Sequence, residues 1–280
     1  MATVTVIVSA HNRRQQTLSC FDALFGGNSG THHIRVVLTD DGSTDGTADA
    51  VRASFPSVEI VAGNGALYWN RGMLAAWRHA LTCNTDYYLW LNDDTELRPG
   101  ALDALIALQQ TAPPKTIVVG RIVDSEGKPI YGALRRVESD IKLGGVRIWR
   151  RIRTELAPPD EGSSDTFQGN CVLMPSSVVD DVGLLDPVFW HSEGDTDYGY
   201  RAKAAGYDIR QAVEPVAIGT YNDAFEQKRS RLSFDTWRYV FTHPKGRRFS
   251  ETSIYIRRYY GPSWRLRLLF FYARMLLVQK

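Results

Sequence analysis

Residues 87–94 read YYLWLNDD, an apolar run of five residues that ends abruptly in an amide and two carboxylates. The run has the length and the aromatic content of a buried β-strand. Two adjacent acids at the end of such a strand, Asp93 and Asp94, need compensation of their charge, and a hard cation with oxygen ligands can supply it. The stretch therefore predicts a central strand with a polar site at its carboxyl end.

Segments of the same kind lie on both sides of this strand. Further strands are predicted at residues 3–9 (TVTVIVS), 34–39 (IRVVLT), 58–62 and 117–123, and helices at 17–25, 44–55, 69–81 and 99–110. Strands that alternate with helices predict a doubly wound parallel sheet. We therefore assign the α/β fold class, with a single Rossmann-like domain and a mostly parallel central sheet. Ligands of such sheets bind at the carboxyl ends of the strands.

A second acidic turn, Asp40-Asp41-Gly42-Ser43, follows the strand at 34–39. A carboxylate at this place can accept hydrogen bonds from an imide N–H or from ribose hydroxyls. The alternative is that the turn only caps the next helix. The same alternative applies to Asn92–Asp94, which could cap the helix that begins near Pro99.

A third acidic cluster, residues 191–197 (HSEGDTD), precedes a helix predicted at 196–205 and ended by Gly206. A carboxylate beside a bound diphosphate is a candidate general base for an acceptor hydroxyl, and we assign that role to Asp195. The alternative is that these acids only complement the helix dipole. We assign that structural role to Asp197, which has Arg201 four residues further on.

The second half of the chain has a weaker pattern. Residues 124–165 are rich in charge, Gly and Pro and are expected to be irregular strands and loops of the same domain, followed by a strand at 166–174 and a short helix at 176–182. We predict a catalytic domain over 1–225, with a nucleotide-binding part at about 1–123 and an acceptor part at about 124–225. Residues 226–280 are predicted to form a basic, amphipathic, helical C-terminal extension.

Charge is distributed unevenly. Residues 228–280 hold 13 of the 33 lysines and arginines but only two of the 31 acids, which gives +11 there and −9 over the rest. Such a tail suits an anionic partner, such as a membrane surface, a phosphorylated acceptor or nucleic acid, or it folds back on the acidic body. The aromatic and basic segment 264–278 fits an interfacial helix, a helix packed on the body, or a homodimer contact. With no nucleic-acid-binding motif, no nucleic acid is expected as a partner.

Compartment signals indicate a cytoplasmic protein, peripheral on the inner face of the membrane if the tail binds lipid. Cys20, Cys83 and Cys171 are odd in number and far apart, which favours reduced thiols. The first residues lack the pattern of a signal peptide, and no window has the length of a transmembrane helix.

The ordered set of motifs resembles family 2 glycosyltransferases with the A-type nucleotide-sugar-binding fold, of a rhamnosyltransferase-like kind. The resemblance covers about residues 3–210, and its motifs are 4–13 (VTVIVSAHNR), 40–45 (DDGSTD), 92–94 (NDD), 182–186 (VGLLD) and 194–206 (GDTDYGYRAKAAG). It implies inverting transfer of a sugar from a UDP- or dTDP-linked donor to a hydroxyl of a glycan or lipid-linked acceptor, as in polysaccharide biosynthesis of the cell envelope.

The resemblance also implies roles for particular residues. The segment that wraps the base is matched by Ser9, Ala10 and His11, with Arg13 nearby; Asp41 matches the acid that reads the base, with Asp40 as its support. Asp93 would approach the ribose, Asp94 would ligate Mn²⁺ or Mg²⁺, and Asp195 matches the catalytic base. Asn92 replaces the first acid of the family's metal motif. Residues 217–222 offer no histidine, so a third metal ligand stays unassigned.

Further candidates lie in three loops. Small residues around Asn64 permit close backbone approach to a nucleotide, and Arg71 could reach a phosphate. Sugar or acceptor contacts are assigned to Gln168, Gly169, Asn170, Trp190, His191 and Glu193. Ordinary turn chemistry, or a buried aromatic side chain that anchors a loop, is the alternative for each.

Two other functions remain open from sequence. A nucleotidyltransferase acting on sugar phosphates should have a glycine-rich phosphate loop after the first strand, where this chain reads SAHNRR (residues 9–14). A catalytically inactive glycan-binding relative would not need its carboxylates, whereas Asp94 and Asp195 are both present.

Overall fold

The computed structural model describes residues 1–27, 30–82, 84–144, 146–159, 162–220 and 234–277. The first third alternates between strand and helix, as predicted. Its elements are β1 (Thr3–Ala10), α1 (Arg14–Gly26), β2 (His33–Asp40), α2 (Thr47–Ser54), β3 (Glu59–Ala62), α3 (Tyr68–Ala80) and β4 (Tyr87–Leu91). The apolar run at residues 87–91 (YYLWL) is therefore a strand, and four of its five residues are buried.

The remaining elements are more varied. They are β5 (Thr95–Leu97), α4 (Ala101–Thr111), β6 (Thr116–Val123), β7 (Pro129–Tyr131), β8 (Ala133–Leu143), β9 (Val146–Leu156), β10 (Thr166–Phe167), β11 (Cys171–Pro175), α5 (Val178–Val182), α6 (Gly194–Ala204), β12 (Asp208–Gly219), α7 (Phe234–Thr242), α8 (Phe249–Tyr259) and α9 (Trp264–Leu277).

The main sheet has the order β3-β2-β1-β4-β11-β6-β12-β5, and β7 pairs with β6. Strands β3, β2, β1 and β4 are parallel to one another, and β6 is parallel to β12. Strand β11 lies antiparallel between β4 and β6. The expected α/β class with a mostly parallel sheet is confirmed. The carboxyl ends of β1, β2 and β4 lie side by side, so the turns that follow them meet at one edge.

The region at 124–165 is more regular than expected. Its strands β8 and β9 form a long antiparallel hairpin, which joins β10 in a second sheet. Charged side chains alternate along both strands without the one-sided apolar pattern that identifies a strand in sequence. The strand expected at 166–174 is interrupted at residues 168–170, and β12 was not predicted.

The C-terminal helices have their own apolar core, which includes Phe189 of the catalytic domain. Its buried members are Phe189, Val240, Tyr255, Ile256, Leu268 and Tyr272. The expected helical extension is therefore confirmed, while the proposed boundary at 225/226 lies outside the described residues. In the described part of the chain no helix is long and apolar enough to cross a membrane. Cys20 and Cys171 are buried free thiols, and Cys83 lies outside the described residues.

Candidate active site

A cavity of about 760 Å³ opens at the carboxyl ends of the central strands. Its wall includes residues from the end of β1, both acidic turns, the start of α6 and the C-terminal helices. The predicted site residues that line it are Ser9, Ala10, His11, Arg13, Asp41, Asp93, Asp94, Gln168, Gly169, Asn170, His191, Glu193 and Asp195. Three carboxylates that are far apart in sequence, Asp41, Asp94 and Asp195, therefore face one space.

Four predicted site residues are not part of this wall: Asp40, Asn64, Arg71 and Trp190. Asp40 is buried, and its Oδ1 accepts from the Ser43 N–H at 3.3 Å. The guanidinium of Arg71 lies 3.7 Å from the centre of the Trp190 ring, and its Nε donates to a backbone carbonyl. Asn64 accepts from a backbone N–H within its own turn. These four side chains therefore contact neighbouring loops and turns and do not line the cavity.

Asp41 holds the turn that follows β3. Its Oδ1 accepts from the Gly65 N–H at 2.8 Å, and its Oδ2 accepts from the N–H groups of Leu67 and Tyr68 at 2.8 and 3.0 Å. A Cβ at Gly63 would lie 2.6 Å from Asp41 Oδ1, so this approach needs glycine. The acidic turn therefore shapes the part of the cavity wall where a nucleobase would lie.

Arg13 connects the end of β1 to the turn after β4. Its Nη1 donates to Asp94 Oδ2 at 2.5 Å and to Asp93 Oδ1 at 3.3 Å. Burial raises the pKa of Asp93 to about 7, a shift that Arg13 opposes and the adjacent Asp94 increases. Asp93 Oδ2 is buried and has no hydrogen-bond partner among the residues that the structure describes. The pair therefore concentrates negative charge that one guanidinium compensates.

This turn has the donor chemistry for a divalent cation shared with a diphosphate. Asn92 Oδ1 already accepts from Trp69 Nε1 at 2.7 Å, which leaves the carboxylates of Asp93 and Asp94 as oxygen donors. No group of three or more His, Cys, Asp or Glu side chains within the described residues could hold a metal. Mg²⁺ is commonly held by one or two carboxylates plus substrate phosphates, so the residues present fit that arrangement.

Asp195 is the second residue of α6, and its carboxylate lies on the cavity wall. Its Oδ2 accepts from the Gly169 N–H at 2.9 Å, and its Oδ1 from the Thr196 N–H at 2.8 Å. It forms no ion pair with any described residue. Burial raises the pKa of Asp195, and the two backbone donors oppose that shift. A Cβ at Gly169 would lie 2.6 Å from Trp69 and 3.2 Å from Asp195 Cβ, so glycine is required beside the carboxylate.

Two further titratable groups lie just before Asp195. Burial raises the pKa of Glu193 to about 7, with Arg247 opposing the shift. Within the described part of the chain, Glu193 Oε2 has no hydrogen-bond partner. Burial and the nearby cations Lys245, Arg247 and Arg13 lower the pKa of His191 to about 3. His191 is therefore neutral at physiological pH, and the cations Lys245 and Arg247 lie at the same end of the cavity.

The C-terminal helices complete the wall, which sequence reasoning missed. The additional lining residues from this part of the chain are His243, Lys245, Arg247, Tyr255, Tyr260 and Phe271. In the sequence, the basic segment 243–249 (HPKGRRF) indicates an anionic partner but does not show that this part of the chain lines the cavity. Basic side chains in a cavity with paired carboxylates opposite suit a ligand that carries phosphate.

Polar contacts fix these helices to the catalytic domain. Glu251 Oε2 accepts from the Trp190 N–H at 2.9 Å, and the His243 ring meets Tyr68 edge-on at 5.8 Å. Arg258 donates to Asp186 and to Asp197, each at 2.7 Å. The loop between α5 and α6 is thus held by α8.

A Rossmann-like sheet whose acidic turns surround one cavity, with a carboxylate at the start of a later helix, defines the A-type glycosyltransferase fold. The family model described as Glycosyl transferase family 2 matches residues 5–183. The chain therefore belongs to glycosyl transferase family 2.

Curated relatives give the same placement. The chain is 28% identical over 193 residues to N-acetylglucosaminyl-diphospho-decaprenol L-rhamnosyltransferase of Mycobacterium tuberculosis, from two strains. The match covers 62% of this chain and 62% of each relative, so the chain spans less than two thirds of their length.

Solved structures share the fold at low identity. The mannosyltransferase PcManGT of Pyrobaculum calidifontis, in complex with GDP-Man and Mn²⁺, matches with a TM-score of 0.58 and 16% identity, over 98% of this chain and 70% of that one. TarS 1-349 of S. aureus matches with a TM-score of 0.57 and 13% identity, over 100% of this chain and 76% of that one.

Proposed function

We propose that this protein is an inverting glycosyltransferase that moves a sugar from a UDP- or dTDP-linked donor to a hydroxyl of a glycan or lipid-linked acceptor. The observation that carries the proposal is the position of Asp41, Asp94 and Asp195 around a single cavity. Membership of glycosyl transferase family 2 supports the same reaction class.

The donor's nucleoside would lie against the end of β1 and the Asp41 turn. Ser9, Ala10 and His11 would wrap the base, and His11 Nδ1 lies 2.6 Å from the Asp41 carbonyl oxygen, which fixes the ring. Asp41 Oδ1 accepts one backbone N–H and retains capacity for an imide N–H of the base. Asp93 would approach the ribose.

The diphosphate would lie between the turn after β4 and the basic segment at 245–247. A bound Mn²⁺ or Mg²⁺ would be held by Asp94 and would offset charge on the leaving diphosphate. Arg13, Lys245 and Arg247 supply positive charge from the protein itself. Arg13 must exchange part of its contact with Asp94 for a phosphate contact when the donor binds.

Asp195 would act as the general base. Its carboxylate has two backbone donors and no paired cation among the described residues, and its raised pKa makes it a better proton acceptor than an ordinary aspartate. The acceptor oxygen loses its proton to Asp195 as it attacks the anomeric carbon. The bond from that carbon to the diphosphate oxygen breaks on the opposite face, so the configuration is inverted.

The acceptor would lie along the wall formed by residues 168–170, His191 and Glu193. Neutral His191 and the unsatisfied Glu193 Oε2 are available to hydrogen-bond with sugar hydroxyls. The Mycobacterium relatives are named for a decaprenol-linked substrate and for transfer of L-rhamnose, which supports a lipid-linked acceptor and a deoxyhexose donor.

Product analysis with a panel of nucleoside-diphosphate sugars tests the proposal. We expect transfer with one UDP- or dTDP-linked sugar, loss of transfer with a chelator, and recovery with Mn²⁺ or Mg²⁺. Formation of a nucleotide–sugar bond from a sugar phosphate would instead identify a nucleotidyltransferase. Glycan binding without turnover of any donor would identify an inactive relative.

A further inference from the structure

Exposed apolar side chains are concentrated in the C-terminal helices. Elsewhere in the described residues the large exposed ones are isolated: Met1, Leu81, Val213 and Ile218. The C-terminal helices contribute Phe234, Trp237, Phe249, Leu266, Leu269 and Phe270. Scattered apolar residues are normal on a protein surface, whereas a cluster of them marks a contact site.

Helix α9 has two apolar faces. Leu268 and Tyr272 are buried in the core of the C-terminal helices. Leu266, Leu269 and Phe270, which we call the α9 stripe, are 53%, 64% and 60% exposed. Their spacing of three and four residues places them together on the outer side of the helix. A helix that needed only to cover the catalytic domain would have polar residues there.

Basic residues border this stripe. At 100° per residue, Arg265 lies on one side of the stripe and Arg274 on the other. Both are exposed, and neither forms an ion pair with a described residue. Arginines on either side of an apolar face are typical of a helix that lies in a lipid interface, because their long side chains reach the headgroups.

Exposed aromatic side chains also occur on the neighbouring helices. Trp237 stacks on Phe241 at 5.8 Å, and Phe241 lies 4.7 Å from Tyr272. Phe249 stacks on Tyr272 at 5.8 Å, on the buried face of α9. Trp237 and Phe249 are 40% and 49% exposed, so α7 and α8 carry exposed apolar side chains as well as α9.

We propose that the α9 stripe, with Trp237 and Phe249, docks on an anionic lipid bilayer. Charge favours this occupant, because the exposed Arg265 and Arg274 border the stripe and residues 228–280 as a whole hold 13 lysines and arginines but only two acids. A symmetric contact between two copies would bring two such basic surfaces together, which costs free energy. An anionic bilayer attracts the same surface and receives the apolar side chains.

The docking surface lies next to the candidate active site. Phe271 lines the cavity, and the adjacent Phe270 belongs to the exposed stripe. Helix α9 therefore separates the cavity from the lipid by the thickness of one helix. If the proposed function holds, an acceptor can react while its lipid anchor stays in the bilayer; the docking itself does not depend on that function.

Vesicle flotation tests the docking without any donor or acceptor. The intact chain is mixed with phosphatidylcholine vesicles, with and without phosphatidylglycerol, at low and high salt. We expect binding to the anionic vesicles that weakens as salt rises. Replacing the α9 stripe by serine (L266S, L269S and F270S together) should lower the partition coefficient at least about 100-fold, since each apolar side chain contributes roughly tenfold.

A matched variant removes three exposed apolar side chains elsewhere (L81S, V213S and I218S), and we expect it to bind as the wild type does. R265Q with R274Q should lower binding to anionic vesicles roughly tenfold. Circular dichroism and the thermal shift with a nucleoside diphosphate and Mn²⁺ verify that each variant is folded. Absence of wild-type flotation, or equal flotation of the α9 variant, overturns the proposal. So does a dimer in light scattering that the α9 variant dissociates without any change in flotation.

Discussion

Helix α6 carries two aspartates, two residues apart, in opposite environments. Asp195 lies on the cavity wall, and its carboxylate accepts from the backbone N–H groups of Gly169 and Thr196. Asp197 is fully buried, and its carboxylate accepts from Arg201 Nε at 2.9 Å, Arg258 Nη1 at 2.7 Å and the Tyr259 hydroxyl. The first carboxylate faces a space that a substrate can enter, whereas the second has protein on every side.

Within one turn of α6, the two aspartates therefore have environments that suit different roles, one facing the cavity and one anchoring the fold. A carboxylate compensated by two guanidinium groups is stabilised as an anion and serves as an anchor for α8. A carboxylate with backbone donors alone, in a buried position, holds a proton more readily and suits proton transfer. The partners, more than the residue type, assign the roles.

The largest effect is expected from Asp195→Asn. The amide keeps the shape of the side chain but cannot accept the proton, so turnover should fall by about two to four orders of magnitude. Affinity for the nucleoside diphosphate and the unfolding transition should stay near those of the wild type. Steady-state kinetics with equilibrium binding measure both, and wild-type turnover in this variant would remove Asp195 from the mechanism.

The converse effect is expected from Asp197→Asn. This change leaves Arg201 and Arg258 without their shared carboxylate, so the free energy of unfolding should fall by about 3 kcal/mol. Turnover per folded molecule should fall far less than in the Asp195 variant. Urea unfolding followed by circular dichroism measures the loss, and an unchanged midpoint would contradict the anchoring role.

Glu193 provides a third carboxylate in the same turn, and its effect should depend on pH. Burial raises the pKa of Glu193 to about 7 in the folded protein, above the ordinary 4.5. The contribution of Glu193 to the free energy of unfolding is therefore most favourable below pH 4.5 and is lost as the pH rises from 4.5 through 7. The charges that face it are Arg247, Glu251 and Asp195. The free energy of unfolding of Glu193→Gln should therefore rise by about 2 kcal/mol relative to that of the wild type as the pH increases from 5 to 8. An equal difference in unfolding free energy between the variant and the wild type at pH 5 and pH 8 would refute this.

The smallest effect is expected from Tyr259→Phe. The phenol donates to Asp197 Oδ1 at 2.7 Å, and its loss should lower the free energy of unfolding by about 1 kcal/mol because the two arginines remain. Turnover should not change. A large loss of turnover in this variant would mean that Asp197 and Asp195 are coupled, and the separation of roles along α6 would be wrong.

Local pattern predicted the parallel half of the sheet, because each strand there is a short apolar run closed by a polar turn. The interaction of Asp197 with Arg201 was predicted from their spacing of four residues, and the structure confirms it. The end of α6 at Gly206 was predicted as well, and this residue has a positive φ of 86°. These features depend on neighbours in sequence.

The features that were missed depend on distant partners. Arg258 reaches Asp197 across 61 residues, and no spacing rule identifies such a pair. Strand β11 enters the sheet antiparallel between β4 and β6, and its short apolar segment does not reveal its direction. Lys245 and Arg247 belong to a segment whose basic composition suggests an anionic partner but does not indicate that the segment lines this cavity.

The cavity wall extends from Ser9 to Phe271, and this has a consequence for protein synthesis. A ribosome completes the part of the wall formed by β1, the acidic turns and α6 first, while the aromatic and basic part emerges only at the end of translation. A premature stop codon shortly after β12 would produce a chain that retains Asp41, Asp94 and Asp195 but lacks His243, Lys245, Arg247 and the aromatic side chains that complete the cavity wall.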